Sequence, residues 1–426
     1  MHVLLLNEYY PPDTSATAKM AAMVAEAIAQ RHQVTVVAGR PSYDPEHHYR
    51  FAWLRKTSRN GVTVECVGST DYPRHKMKRR VANYLSYLAL AVPHALSMRT
   101  DLVLAMTDPP IEGIAGALVA GLLNRPFVYN IRDMYPDMAL GGDIVNAGPW
   151  VTRWENMHRW ALRSATRVIV LGEDMRARII AKGVDPARVV VVRDGTGAAG
   201  PQPHPNDPIT QEIRCGFQFT MVHAGNLGFY GAWPTLVKAA ALLKDESTGL
   251  IFVGDGANRA RIQESAQGLD NVRFLPFRPF SQVPNVMAAG DLQVITVKPG
   301  LEGVVVPSKM YSILAAGRPV LVVSTPQTDA AQIVRESGCG LTAHPDDPQG
   351  VADAVRSLRN DPARLEQMGQ RALEWSARYD KVTELARFVE VLEDAAKSRS
   401  RNGDHGNLNR APSTSRPDVR PAGSNL

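Results

Sequence analysis

The stretch from Leu292 to Val323, LQVITVKPGLEGVVVPSKMYSILAAGRPVLVV, decides the fold. It opens on a β-branched run, Leu292–Thr296, and passes through a glycine-containing loop into the turn Pro307-Ser308-Lys309. A helix of small and apolar residues follows and ends at Gly317. Arg318 and Pro319 then lead into the next apolar run, Pro319–Val323. Two short apolar strands joined by a helix make a βαβ unit, because parallel neighbours need a crossover of this length. The loop feeds a helix N-terminus, whose unpaired N–H groups and positive dipole end suit a phosphate. Lys309 adds a full charge on the same turn.

The alternation extends in both directions. Val3–Leu6, Val34–Ala38, Val62–Val67, Leu102–Ala105, Phe127–Asn130, Arg167–Leu171 and Val189–Val192 read as buried parallel strands. Helical patterns such as Ala16–Arg31 and Pro149–Ser164 lie between them. Residues 195–210, GTGAAGPQPHPNDPIT, have no period and read as a linker. The pattern restarts with Phe219–His223, Gly249–Val253, Val272–Phe274, Leu292–Thr296, Pro319–Val323 and Gly340–Ala343. The expected architecture is α/β, with two Rossmann-like doubly wound domains facing across a cleft. The domains span 1–195 and 213–378, joined by a linker at 196–212. A helix at 379–396 is expected to pack back on the first domain, and 397–426 to form a disordered basic tail.

Composition narrows the class. A chain of 426 residues with 44% hydrophobic and 21% charged residues is that of a globular protein of two domains. The net charge is +6, but the tail from Lys397 holds six Lys/Arg against two Asp, a contribution of 6 − 2 = +4. The body is therefore close to neutral, and the charge does not argue for nucleic acid. Three widely spaced cysteines form no metal-ligand pattern and point to a reducing compartment. The opening residues MHVLLLNEYYPP read as a buried strand, not a signal peptide. No run reaches the roughly 18 apolar residues that would span a bilayer.

Ligands of such sheets bind at the carboxyl ends of the strands. After Phe219–His223 comes AGNLGFYGAW, whose Gly225 and Gly228 allow close backbone approach to a phosphate. It lacks the dinucleotide fingerprint. Gly254 and Asp255 follow the next strand. Pro276-Phe277-Arg278 follows the third, where backbone groups can read a nucleobase edge. Lys298 and the opening segment follow the fourth. In the first half, Asp13 or Thr14 is the expected N-cap of the first helix.

The motifs NEYYPPDTSATAKM (7–20), AGRPSYDP (38–45), NIRDMYPDMAL (130–140), HAGNLGFYGAWPTL (223–236), GDGANRARI (254–262) and VKPGLEGVVVPSKMYSILAAGRPV (297–320) together resemble one family. The chain is similar to retaining glycosyltransferases of the GT-B fold, family four, and within it to the WbuB/WcaI-like group of O-antigen, capsule and exopolysaccharide assembly. The resemblance covers residues 1–395. It implies a nucleotide-sugar donor, UDP-linked by preference, on the second domain. The implied acceptor is a polyprenyl-diphosphate-linked or other saccharide. Glu302 corresponds to the first acid of the family's paired motif, facing the sugar. Ser312 stands where the second acid grips the ribose, and Asn226 and Tyr230 replace the loop cations. Lys298 and Lys309 are the available substitutes, with Val306 and Ser308 beside them. Ser15 lies on the first-domain loop that faces the donor phosphates, and Asp133 is the polar catalytic candidate. No protein nucleophile is implied. No Asp-x-Asp motif stands at a strand end, so no cofactor and no metal are expected.

Arg74, Lys76, Lys78, Arg79 and Arg80 precede the apolar, aromatic stretch at 81–98. A basic cluster beside an amphipathic segment suits an anionic membrane. The expected location is the cytoplasmic face of the cell membrane. Two other readings stay open, a sugar-nucleotide 2-epimerase of the same fold and a non-catalytic scaffold.

Overall fold

The computed structural model describes residues 1–41, 51–72, 77–197 and 206–405. The first sheet holds β1 (His2–Leu6), β2 (Gln33–Ala38), β3 (Leu54–Arg59), β4 (Val62–Val67), β5 (Leu102–Ala105), β6 (Phe127–Asn130), β7 (Arg167–Val170) and β8 (Val189–Val191). Its order is β3-β4-β2-β1-β5-β6-β7-β8. The second holds β9 (Phe219–Ala224), β10 (Thr248–Val253), β11 (Val272–Leu275), β12 (Leu292–Thr296), β13 (Val320–Val323) and β14 (Gly340–Ala343), in the order β11-β10-β9-β12-β13-β14. The central strands are parallel and buried on both faces, which is why they read as unbroken apolar runs.

One strand escapes that reading. β3 is LRKTSR, exposed along most of its length, and pairs antiparallel with β4. An edge strand has little to bury, so no apolar run marks it. The signal is Asn60-Gly61, whose φ values of 47° and 81° make a tight hairpin turn.

Helices Met77–Leu96, Glu112–Leu123 and Pro149–Ser164 cover one face of the first sheet, and Ala16–Ala29 covers the other. The last helix, Lys381–His405, lies beside Ala16–Ala29, where Phe388, Val389, Leu392 and Ala395 complete the core. The chain thus crosses between the sheets twice. The crossings run side by side: Thr196 N donates to Tyr379 O at 2.5 Å, and Lys381 N to Thr196 O at 3.1 Å. Gly195, at φ 71°, has no room for a side chain against Lys381.

Two expected boundaries shift. A helix, Pro208–Arg214, starts inside the stretch read as linker, capped by Asp207 onto Thr210 N at 2.9 Å. The last helix carries residues 397–405 of the expected tail. Residues 198–205 and 406–426 lie outside the described residues.

The loop after β12 crosses to the first domain. Val297, Leu301, Val304 and Val305 join that domain's core. Burying such side chains contributes about 1.5–3 kcal/mol each. Gly141 leaves room for Leu301, and Gly303 (φ 66°) lies against the backbone carbonyl of Asp174, where a Cβ would clash.

Candidate functional site

The carboxyl end of the second sheet is built from glycine turns. Gly225 (φ 138°) follows β9 and Gly254 (φ 140°) follows β10. They pack backbone to backbone, so a Cβ on Gly254 would strike the Gly225 carbonyl. Gly225 N donates to Val253 O at 2.9 Å, and Leu227 N to Asp255 O at 2.8 Å. Arg259 donates to Gly254 O from below. Gly228 O accepts from Trp233 Nε1 at 2.7 Å and from Asn258 Nδ2 at 3.0 Å. The loop is thereby fixed from its own side.

Lys309 reaches this loop. Its Nζ lies 3.4 Å from the position of a Cβ on Gly225 and 2.9 Å from His223 Nε2. His223 is 1% exposed, and its Nδ1 lies 3.1 Å from Val294 O. The carbonyl accepts, so Nδ1 carries the hydrogen and Nε2 is the acceptor for Lys309. Burial lowers the lysine to about 7. Burial, and then the lysine charge, push His223 well below its ordinary value. Among the described residues no carboxylate pairs with Lys309. An anion placed beside it would favour the charged form of the lysine.

Asp133 faces the same region from the first domain. The backbone bridges Asp133 to Val305, and Met134 N donates to Val304 O at 3.1 Å. Burial, then the charge of Asp108, raise its carboxyl to about 6. Arg132 does not pair with it. That guanidinium makes two bonds to Asp194, at 2.6 and 2.8 Å. No side-chain partner satisfies the Asp133 carboxylate among the described residues. Tyr230, on the glycine loop, is within its electrostatic reach.

Several other candidate residues have partners of their own. Glu302 Oε1 accepts from Thr325 Oγ1 at 2.8 Å and from Gly300 N at 3.2 Å, so its carboxylate serves the turn after β12 and the end of β13. Lys298 pairs across the domains with Asp143 at 3.4 Å. Arg278 is drawn away to Glu212. Ser15, not Asp13 or Thr14, caps the first helix: its Oγ accepts from Ala18 N at 3.1 Å, and Asp13 Oδ1 accepts from Ser15 N at 2.9 Å. Asp255 bonds its neighbour Gly256 N at 2.8 Å. Phe277 is 72% exposed, and Ser308 and Ser312 are also exposed. Asn226 is exposed on the glycine loop, and Val306 is half-buried against the first domain's core. The structure therefore brings together Gly225, Asn226, Gly228, Gly254 and Lys309, with Asp133 opposite.

The basic cluster divides. Arg74 and Lys76 lie outside the described residues. Lys78 and Arg79 are exposed, while Arg80 turns inward onto Tyr84, its guanidinium 5.4 Å from the ring centre.

Sequence reasoning missed two acids beneath the cleft. Glu8 follows β1 and Glu112 opens a helix, and both are buried. Glu112 accepts from Tyr87 OH at 3.1 Å. Burial holds it far above the usual carboxylate range, with Glu8 and Asp108 adding to the rise. Glu112 at the first turn of an apolar helix reads as an ordinary N-terminal acid, so only the fold reveals it. Among the described residues no three His, Cys, Asp or Glu side chains are grouped to hold a metal ion.

Comparison with known proteins agrees with this division. Residues 15–195 match the glycosyl transferase 4-like domain, and residues 218–361 match the glycosyl transferases group 1 domain. Glycosyltransferase WbjE of Pseudomonas aeruginosa is 24% identical over 70% of this chain and 76% of its own length. The colanic acid biosynthesis glycosyl transferase WcaI of Escherichia coli is 23% identical over 84% and 91%. Among solved structures, Anabaena HepE in complex with UDP-glucose superposes with a TM-score of 0.67 at 20% identity, over 92% of this chain and 100% of that one. WaaG, of lipopolysaccharide biosynthesis, gives 0.63 at 16%, over 92% and 99%.

Proposed function

This chain is a glycosyltransferase of the GT-B fold, built from a glycosyl transferase 4-like domain and a group 1 domain, and from that premise we propose that it moves a sugar from a UDP-sugar to a lipid-linked saccharide in surface polysaccharide assembly, with retention at the anomeric carbon. The observation that carries the reading is Lys309, a cation with no acidic partner among the described residues, set against Gly225 at the carboxyl end of the second sheet. HepE takes UDP and UDP-glucose, and WcaI serves colanic acid synthesis. Both fit a nucleotide-sugar donor and a polysaccharide product.

The chemistry follows from charge. Breaking the sugar–phosphate bond leaves an oxocarbenium-like sugar and an anionic diphosphate. Lys309 and the N–H groups of the glycine loop stabilise that leaving group, and no metal ion is needed in this reading. The departing phosphate takes the acceptor's proton on the face it leaves. In this reading Asp133, bridged to Val305 and close to Tyr230, is the polar group that meets the reacting sugar. Packing of the loop after β12 into the first domain keeps the two halves together.

A membrane-borne acceptor fits the face opposite the last helix. Val81 and Leu85 on Met77–Leu96, Leu118 and Leu122 on Glu112–Leu123, and Trp150 and Trp160 on Pro149–Ser164 are all exposed, with Lys78 and Arg79 beside them. Tryptophan and lysine side chains suit a bilayer interface. Among the described residues no helix is long and apolar enough to cross a membrane. The reading is tested by a thermal-shift series with UDP, GDP and ADP. UDP should raise the melting temperature of the wild type and have little effect on Lys309→Met. Equal response in both proteins would remove Lys309 from the donor site.

A further inference from the structure

We infer that His223 is a positioning residue whose neutral imidazole holds Lys309 at the glycine loop after β9, and that binding of a nucleoside diphosphate there draws one proton into the site. The inference rests on the donor-site reading above and adds a coupling to it.

The geometry leaves the imidazole one role. Its Nδ1 lies 3.1 Å from Val294 O on β12, and the edge of its ring meets Trp233 with centroids 4.8 Å apart. The tautomer is therefore set from the strand side, and Nε2 presents a lone pair to Lys309 at 2.9 Å. A proton on Nε2 would point at the ammonium, so the pair cannot hold both positive charges. His223 comes from β9 and is the titratable group that touches Lys309. The glycine loop brings Gly225 against the lysine, and the Val294 carbonyl on β12 holds the far side of the His223 ring. On Lys309's own helix, Tyr311 is turned toward Arg193 and Asp329. No acid among the described residues balances the lysine.

Such a cation is costly while the site is empty and favourable when a diphosphate arrives. Burial brings the lysine to about 7. An opposite charge within about 4–6 Å raises such a group by roughly 1–3 units. At pH 8 the empty site is thus mostly deprotonated, and the bound site half to almost fully protonated. At pH 6 the lysine is charged in both. By linkage, affinity falls as pH rises above the empty-site value, approaching tenfold per unit. Lys309→Arg separates this from protonation of the ligand itself, because a guanidinium stays charged throughout.

The experiment is calorimetric titration with UDP at pH 6 and pH 8, each in two buffers of different ionisation heat. The wild type should take up about half to one proton at pH 8 and almost none at pH 6. Lys309→Arg should bind UDP with no uptake at pH 8. His223→Gln keeps an acceptor for Lys309 and should stay within about threefold of wild-type affinity at pH 6, while His223→Leu should lose about tenfold. UDP binding at pH 8 without proton uptake, or with equal uptake in Lys309→Arg, overturns the inference and leaves the donor site standing. Failure of UDP to bind at either pH overturns both.

Discussion

Asp174 and Asp329 cap each other's helices across the domain boundary. Asp174 Oδ2 accepts from Asp329 N at 3.0 Å and from Gly303 N at 3.2 Å. Asp329 Oδ1 accepts from Glu173 N at 3.0 Å and from Arg193 Nη2 at 2.7 Å. Each carboxylate thus sits at the positive end of the other domain's helix, where its charge is favoured. Through Gly303 N the pair also ties the loop after β12 to the first domain.

Removing one partner should loosen that boundary. Asp329→Ala leaves Arg193 without its buried acid, and such losses cost about 3–5 kcal/mol. Urea unfolding should show the drop, and limited proteolysis should cut earlier at the crossings near Thr196 and Lys381.

Asp174 adds a pH dependence. Burial, partly countered by its backbone N–H donors, raises its carboxyl to about 6, above the unfolded value. The folded state therefore holds the extra proton. Its contribution is fully present below the unfolded value of about 4 and is lost as pH rises through 6. Asp174→Asn should flatten the stability–pH curve between pH 4 and 6, as read by chemical denaturation at each pH.

Gly303→Ala tests the docking of the loop. The left-handed conformation and the Asp174 carbonyl both exclude a Cβ. A penalty of about 1–3 kcal/mol is expected. It should appear as a lower melting temperature and a weaker rate together, because the loop also sets the cleft.

The sheets were legible because strands covered on both faces carry no polar alternation. β9 and β10 are buried at every position. β3 was not, since its side chains are polar; only the Asn60-Gly61 turn betrays it. The place of the glycine loops and Lys309 at the carboxyl ends of the strands could be read from residue type and order. The pairings of Glu302, Lys298 and Arg278 could not, because each partner, Thr325, Asp143 and Glu212, is distant in sequence or brought near only by the fold. Ser15 displaced Asp13 as the cap because Asp13 bonds the Ser15 amide instead.

Asp133 should govern the acid limb of the reaction. Its carboxyl titrates near 6, so turnover should rise with pH through that value as it ionises. Asp133→Asn should lower kcat and remove the limb. A limb unchanged in the variant would assign the titration elsewhere.

The central claim is that the glycine loop and Lys309 serve transfer from a nucleotide-sugar. Its most direct measurement is incubation with a panel of UDP- and GDP-sugars and a polyprenyl-diphosphate-linked saccharide, following product and anomeric configuration by NMR. The account predicts transfer from a UDP-sugar with retained configuration, and a loss of about 100–1,000-fold in Lys309→Met. Inverted product, or full activity in Lys309→Met, would contradict it.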